Sequence, residues 1–541
     1  MSSGVSWRQV YIVTIILRFI LGISDSYIHP DEHFQNFEVL ASKFFGFSTT
    51  IPWEFESDLP ARSFGPLYLF YGPLFAFIKF FGVKVTPKAV WYMARLQLIF
   101  VNWLVTDMCL YRLLPTKPER VKAVFFTSTS YITLVLQSHC FSNSLETPLV
   151  LISLLIISDL RFDSEVRDVT VCSYDKLFYF GIAIAIGIFN RVTFPAFLVI
   201  PSYFLLKYIW KFKIGLLVGI LGFMIPTTLF IFIDTYEFKH IVLVSSPREL
   251  VITPLNNLIY NSSYKNLALH GIHPFYTHVL INLPQVFGPL LCVLFYKGRN
   301  NYYRTVPFLS FVSGLTILSF VPHQELRFLM PLLPIASCCI DFSRIMGVDT
   351  ESEEIKEKII SNENNLKPDK VLTRSSNFAT SIIVLWYLFN IVMCLLMGIL
   401  HQGGVIPALD YSHANLVLQN EKFVQIWWRT YSPPTWLLGS PKYSTIMVTL
   451  EQFNTSLLKK YDNLIIDAMG SDQKDIYDII KGVQSTNKKL MLVAPVASIN
   501  CDFESSSLQM IWKYSYHLDL DHLNFESLEC LAPGLGIYEI I

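Results

Sequence analysis

Up to about residue 400 the chain alternates long apolar runs with short polar turns; beyond that point the pattern changes. A helix crossing a bilayer requires about 20 mostly apolar residues, fewer where neighbours bury its ends. About eleven segments meet this measure. They lie at 9–25, 91–111, 123–140, 144–160, 177–189, 196–210, 214–234, 278–296, 305–321, 326–345 and 376–400. The first has the look of a signal peptide, but Arg18 interrupts its apolar stretch and Ser24-Asp25-Ser26-Tyr27 is a poor cleavage site, so the pattern predicts a retained anchor. Residues 64–81 are also apolar enough to cross. Two turns, Gly65-Pro66 and Gly72-Pro73, divide them and Lys79 stands near their end, which predicts a helix lying in the interface or re-entering.

Half of residues 349–370 are charged, among Ser, Asn and one Pro, and this stretch reads as a flexible loop. After residue 400, strand-like runs at 463–467, 490–494 and 510–516, with a helical stretch at 472–483, predict a small α/β domain. The expected plan is a membrane region at 1–345 with a long first loop at 26–90, a charged loop at 346–375, a final spanning helix at 376–400 and an α/β domain at 401–541. No internal repeat is evident.

Composition narrows the class. Hydrophobic residues make up 52% and charged residues 16%, with a mean hydropathy of +0.43, more apolar surface than several small soluble cores could hide. The expectation is a polytopic α-helical membrane protein with about eleven spanning helices. Lys and Arg balance Asp and Glu at 42 each, which removes the basic footprint that nucleic acid requires. The nine cysteines are scattered without a CxxC spacing, and only Cys338 and Cys339 adjoin, so neither a zinc site nor a disulfide framework is expected.

Lys and Arg in short loops favour the cytoplasmic face. Arg112, Lys117, Arg120 and Lys122 mark one such loop, Lys207, Lys211 and Lys213 a second, and Lys297, Arg299 and Arg304 a third. The loops at 26–90, 141–143, 190–195, 235–277 and 322–325, and everything after 400, then share the opposite side, while 349–370 is cytoplasmic. Two glycosylation acceptors, Asn261 and Asn454, fall on that opposite side.

Four polar clusters at the ends of apolar runs lie on this same side. The first is Tyr27-Ile-His-Pro-Asp-Glu-His33, where Pro30 stiffens the backbone before Asp31 and Glu32, and Phe34, Phe37, Val39 and Leu40 form a helical stripe. Carboxylates held at the edge of a low-dielectric region are candidate general bases, because partial desolvation raises their pKa. The second is Val321-Pro-His-Gln-Glu-Leu-Arg-Phe328. His323, Glu325 and Arg327 there must face a cavity or each other, and the Arg327 fork suits a phosphate; an Arg–Glu pair tying a helix end is the alternative. The third puts Arg191 in a short turn at 189–195, where a snorkelling Arg is the plainer reading. The fourth offers Asn143 and Glu146 in a tight hairpin, with helix capping by Ser142 or Ser144 as the alternative. Motifs of soluble catalysis are absent: there is no GxSxG, P-loop, GxGxxG or HExxH.

His29-Pro-Asp-Glu32 after the first helix and His323-Gln-Glu-Leu-Arg-Phe328 before a late one resemble the dolichyl-phosphate-mannose-dependent mannosyltransferases of glycosyltransferase family 22. Asn190-Arg-Val-Thr193 and Ser142-Asn-Ser-Leu-Glu146 are similar to further signatures of that family, with Val192 where relatives often carry Pro. The His-Pro before Asp-Glu looks most like the fungal members that add the fourth mannose to the glycosylphosphatidylinositol (GPI) precursor. The resemblance covers roughly residues 9–345 and implies a GT-C fold in the endoplasmic reticulum membrane, with its active site in the lumen; the Lys and Arg count then puts the 401–541 domain on that same side. It implies an inverting transfer of mannose from dolichyl-phosphate-mannose to a 2-hydroxyl of the GPI glycolipid, with Asp31, beside Glu32, as the base. Arg327, His323 and Arg191 would hold the donor phosphate, and His29, Glu325, Asn143 and Glu146 would contact substrate. No cofactor is expected; a divalent metal is left open, since Asp31 and Glu32 alone cannot fill an octahedral shell. The rival readings are a family member acting on the third GPI mannose or on an N-glycan precursor, and a lipid or small-molecule transporter.

Overall fold

The computed structural model describes residues 7–82, 85–294, 302–340, 377–484, 486–503, 508–523 and 525–541. The charged loop at 346–375, the end of the apolar segment 326–345, and Lys297 and Arg299 lie outside the described residues.

A helical body is followed by a sheet domain. Each apolar run in the body is helical where described, but among the described residues only three helices are long and apolar enough to cross a membrane unaided: Pro87–Leu113, Lys213–Lys239 and Thr380–Leu400. A fourth crossing is available to the pair Tyr131–Ser138 and Ser142–Glu165, bent by 119° at the break between them. The count of about eleven therefore does not transfer to unbroken helices. Several runs are short as helices, Trp7–Gly22 at 16 residues, Tyr174–Asn190 at 17 and Val306–Ser319 at 14, and proline, which removes a backbone donor and clashes with the preceding turn, divides others. Pro195 and Pro201 leave the 196–210 run as a 3₁₀ turn and the ten-residue helix Ser202–Lys211, and Pro284 and Pro289 divide the 278–296 run. Residues 64–81 form two short helices, Phe64–Phe70 and Gly72–Phe80.

Local signals set the helix ends. Thr86 accepts a hydrogen bond from Ala89 N ahead of Pro87, and Thr116 with Glu119 forms a capping box. Tyr174–Asn190 and Lys213–Lys239 approach backbone to backbone. A Cβ on Gly181 would lie 2.1 Å from Gly219 O, and one on Gly222 would lie 2.1 Å from Phe178 O, so glycine is what permits this packing.

Among the described residues the sheet domain has six strands: β1 (Phe423–Trp428), β2 (Thr445–Thr449), β3 (Asn463–Met469), β4 (Lys489–Pro495), β5 (Leu508–Tyr514) and β6 (Leu535–Ile540). Their order is β2-β3-β1-β4-β6-β5; the first four are parallel and the last two pairings antiparallel. Alternation sorts the core. Val424, Ile426 and Trp428 pack under the helix Gln473–Val483, whereas Phe423 and Trp427 face a second core shared with Phe37, Val39, Trp91 and Trp436. The sheet domain and the 26–90 loop thus share one hydrophobic core. Cys501 and Cys530 form a disulfide with a Cα–Cα distance of 5.5 Å, which corrects the expectation that the scattered cysteines would not pair.

Candidate active site

The chain leaves the helix Trp7–Gly22 in extended form through Ile28 and resumes as a helix at Asp31, just after Pro30. Consecutive helical residues point about 100° apart, and Asp31 and Glu32 face different surroundings. Glu32 turns inward. Arg95 grips it with Nε to Oε1 and Nη2 to Oε2, both at 2.7 Å, and Trp91 Nε1 and Cys140 N donate to Oε1. The guanidinium also donates to Ser24 O and Ser26 O, and both members of the pair are fully buried. Burial alone would raise the Glu32 carboxyl, but Arg95 outweighs it and holds the group at about 2. Glu32, expected beside Asp31 at the site, is buried against Arg95 and ties the first loop to the helix Pro87–Leu113.

Asp31 turns outward and is 24% exposed, which leaves it reachable. Its Oδ2 lies 2.5 Å from Arg327 Nη2 and accepts Gln35 Nε2 at 2.6 Å; its Oδ1 lies 3.6 Å from His29 Nδ1. Burial would raise this carboxyl, but the Arg327 guanidinium, then His29, hold it below its ordinary value. The expectation of a desolvation-raised acid is therefore corrected for Asp31 as well, because an arginine faces it. Glu325 bridges the cluster, receiving Arg327 Nε on Oε2 and His323 Nε2 on Oε1, the latter at 2.7 Å. Burial would lower His323, yet its bond to Glu325 raises it; burial and then Arg327 push His29 down. The Arg–Glu pair offered as an alternative on sequence grounds is present, but it occupies only Nε. Among the described residues Arg327 Nη1, which is buried, has no hydrogen-bond partner.

Arg191, Asn143 and Glu146 form a neighbouring knot. Arg191 Nη1 donates to Ser142 Oγ at 3.0 Å and to Asn143 Oδ1 at 3.2 Å, and Nε lies 3.3 Å from Glu146 Oε2. Asn143 Nδ2 and Thr193 Oγ1 donate to Glu146 in turn. Arg191 is thus bonded rather than snorkelling. The Phe328 ring joins the two knots, 4.8 Å from Arg191 Cζ and 5.8 Å from Arg327 Cζ. The structure therefore gathers Asp31, His29, His323, Glu325, Arg327 and Arg191, with Asn143 and Glu146 behind Arg191, and leaves Glu32 out.

Sequence reasoning missed Arg62. Its Nη2 donates to Glu54 Oε1 at 3.0 Å, its Nε is buried without a partner, and its charge helps to lower both Asp31 and Arg191. It stands in the polar stretch before the helix Phe64–Phe70, where nothing in the local pattern marks it. Among the described residues no three of His, Cys, Asp and Glu converge as a metal site requires. Of the two acceptor asparagines, Asn261 donates its amide to Asn257 O and Oδ1 within the helix Thr253–Ser262, and Asn454 is exposed.

A cationic fork beside a reachable carboxylate can hold an anionic leaving group and accept a proton on one surface. Residues 9–439 match the model of the Alg9-like mannosyltransferase family. Over its full length the chain is 50% identical to "GPI mannosyltransferase 4" of Debaryomyces hansenii, covering 100% of each chain. It is 47% identical to the Candida albicans protein of the same name and 35% identical to that of Saccharomyces cerevisiae, covering 99% of this chain in each case and 99% and 98% of theirs. Among solved structures, ArnT from Cupriavidus metallidurans bound to undecaprenyl phosphate aligns over 99% of this chain and 98% of its own, at 10% identity and a TM-score of 0.47, too distant to transfer residues.

Proposed function

The chain belongs to the Alg9-like mannosyltransferase family, and from that membership we infer how its site transfers mannose to the GPI glycolipid. It is read as the enzyme of GPI-anchor assembly that adds the fourth mannose, a reading supported by relatives named GPI mannosyltransferase 4. The donor is dolichyl-phosphate-mannose and the fold is of the GT-C type, set in the endoplasmic reticulum membrane. Residues 26–90 and 401–541 and the active site face the lumen. The Cys501–Cys530 disulfide supports that side, because such bonds persist in oxidising compartments.

The observation that carries the mechanism is the contact of Asp31 with Arg327. With no donor bound, Arg327 neutralises Asp31 and makes it a poor base. The donor phosphate draws on the same guanidinium, whose Nη1 has no protein partner. Sharing Arg327 with a second anion weakens its hold on Asp31 and raises the basicity of the carboxylate. Asp31 then takes the proton of the acceptor 2-hydroxyl as its oxygen attacks the anomeric carbon and the dolichyl phosphate departs toward Arg327 and Arg191. A single displacement inverts the anomeric centre and requires no enzyme nucleophile. Glu325 and His323 orient Arg327; Asn143 and Glu146 orient Arg191.

Depletion of the protein tests the acceptor. The lipid that builds up is expected to be the GPI precursor with three mannoses; one with two would assign the enzyme to the third mannose instead, and no GPI intermediate at all would overturn the reading.

A further inference from the structure

A cavity of about 220 Å³ lies where the sheet domain meets the first loop. Its floor is the carboxyl ends of two adjacent parallel strands: Arg429 to Ser432 follow β1, and Met469 and Gly470 close β3. Open α/β sheets place ligands outside the carboxyl ends of their strands. The opposite wall is Pro30, the residue before Asp31, while Asp519, Asp521 and His522 come from the segment after β5. Tyr27 OH donates to Ser432 O at 2.9 Å, and the Tyr431 ring lies 6.4 Å from the His29 ring, so this floor is tied to the loop that carries Asp31.

We propose that this cavity is the acceptor subsite, which holds a hydroxyl-rich sugar residue of the glycolipid while the neighbouring mannose presents its hydroxyl to Asp31. The proposal rests on the mannosyltransferase reading and adds a role for residues 401–541. Three observations support it. Asp519, Asp521, His522, Arg429 and Tyr431 are among the residues that line the cavity. Paired acceptors and an aromatic face suit vicinal hydroxyls and the C–H surface of a sugar ring, whereas two carboxylates repel the donor phosphate. None of the groups assigned to that phosphate, Arg327, His323 or Arg191, lines the cavity. Its backbone is also held in a costly form: Gln402 (φ 49), Arg429 (φ 53) and Met469 (φ 46) are left-handed without being glycine, and three such residues in one lining mark a built surface. Gln402 is fixed by donating to Asp519 Oδ1 and accepting from Tyr431 N, and Asp519 also accepts from His522 Nδ1.

The test uses the full chain in membranes, with dolichyl-phosphate-mannose and the three-mannose GPI lipid each varied in turn. Asp521→Ala removes an exposed carboxylate, and Arg429→Gly removes the guanidinium at a φ that glycine adopts freely. Each is expected to raise the KM for the acceptor by roughly tenfold, with kcat and the donor KM within about twofold of wild type. Thermal unfolding unchanged from wild type excludes a folding defect, and if Arg429→Gly fails to fold, Asp521→Ala decides alone. An unchanged acceptor KM, or a rise in the donor KM in its place, overturns the subsite while leaving the mannosyltransferase reading intact. A wild-type protein that transfers no mannose to this lipid overturns that reading, and the subsite with it.

Discussion

Asp31 Oδ2 and Arg327 Nη2 lie 2.5 Å apart, so the turn after the first helix and the turn before a late one form one electrostatic unit. Arg327 contacts Asp31 and Glu325 and holds the Asp31 carboxyl below its ordinary value; in the switch proposed above, an anion that competes for the guanidinium loosens that hold.

Arg327→Lys tests the geometry of that switch. Lysine keeps the charge but cannot present Nε to Glu325, Nη2 to Asp31 and Nη1 to a third group in one plane. Mannose transfer in microsomes is expected to fall at least about tenfold at normal protein level. Activity equal to wild type would reduce Arg327 to a helix tie.

Asp31→Asn and Glu32→Gln separate two adjacent acids by the kind of damage they cause. Asn at 31 still accepts from Gln35 but cannot take a proton, so kcat is expected to fall by roughly 10²- to 10⁴-fold with thermal stability retained. Gln at 32 removes the counter-charge of a fully buried Arg95, a change that costs about 3 kcal/mol or more. The loss there is of folded protein, read as a lower unfolding temperature. A stable, inactive Glu32→Gln enzyme would return Glu32 to the chemistry.

The four polar clusters were legible because charges and amides at the ends of apolar runs have few places to go, and the structure joins all four in two knots that meet at Phe328. Which acid faces which arginine was not legible. Arg95 sits inside an apolar run that reads only as a spanning segment, and nothing local links it to Glu32. The sheet was half visible: β3, β4 and β5 were read from their runs, whereas all six residues of β1 are buried and its mixed run gives no alternating signal. Gly536 weakens the β pattern of β6. Cys501 and Cys530 are 29 residues apart among nine cysteines, a spacing that carries no pairing information until the chain is folded. Proline explains part of the helix count: apolar length is visible in sequence, but Pro148 and Pro226 lie inside continuous helices, so which Pro breaks a run depends on packing.

Arg62→Gln tests the residue that sequence reasoning missed. Gln can keep a hydrogen bond to Glu54 while losing a charge felt at both Asp31 and Arg191. If Arg62 helps to draw the donor phosphate, the KM for the donor rises by about fivefold, equivalent to roughly 1 kcal/mol, with the acceptor KM unchanged. Initial rates at varied donor concentration decide this, and an unchanged donor KM would leave Arg62 as the partner of Glu54 alone.

Glu38 gives the interface between the first loop and the sheet domain a pH dependence of definite sign. The side chain is fully buried and accepts from Thr50 N, Trp436 N and the Thr435 hydroxyl. Burial raises its pKa to about 8, with those hydrogen bonds only partly opposing. The unfolded chain releases this proton near its ordinary value of about 4.3, whereas the folded chain keeps it until about 8. Between these values the folded state binds more protons, so this group favours folding fully below about pH 4 and loses that contribution as pH rises toward 8. Glu38→Gln keeps an uncharged acceptor of the same length and removes the titration. The unfolding temperature of the wild type, measured in detergent from pH 5 to pH 8, is expected to fall relative to that of Glu38→Gln, while every other group titrates alike in both. Parallel curves would mean that Glu38 is ionised in the folded protein, its charge held by Thr50, Thr435 and Trp436.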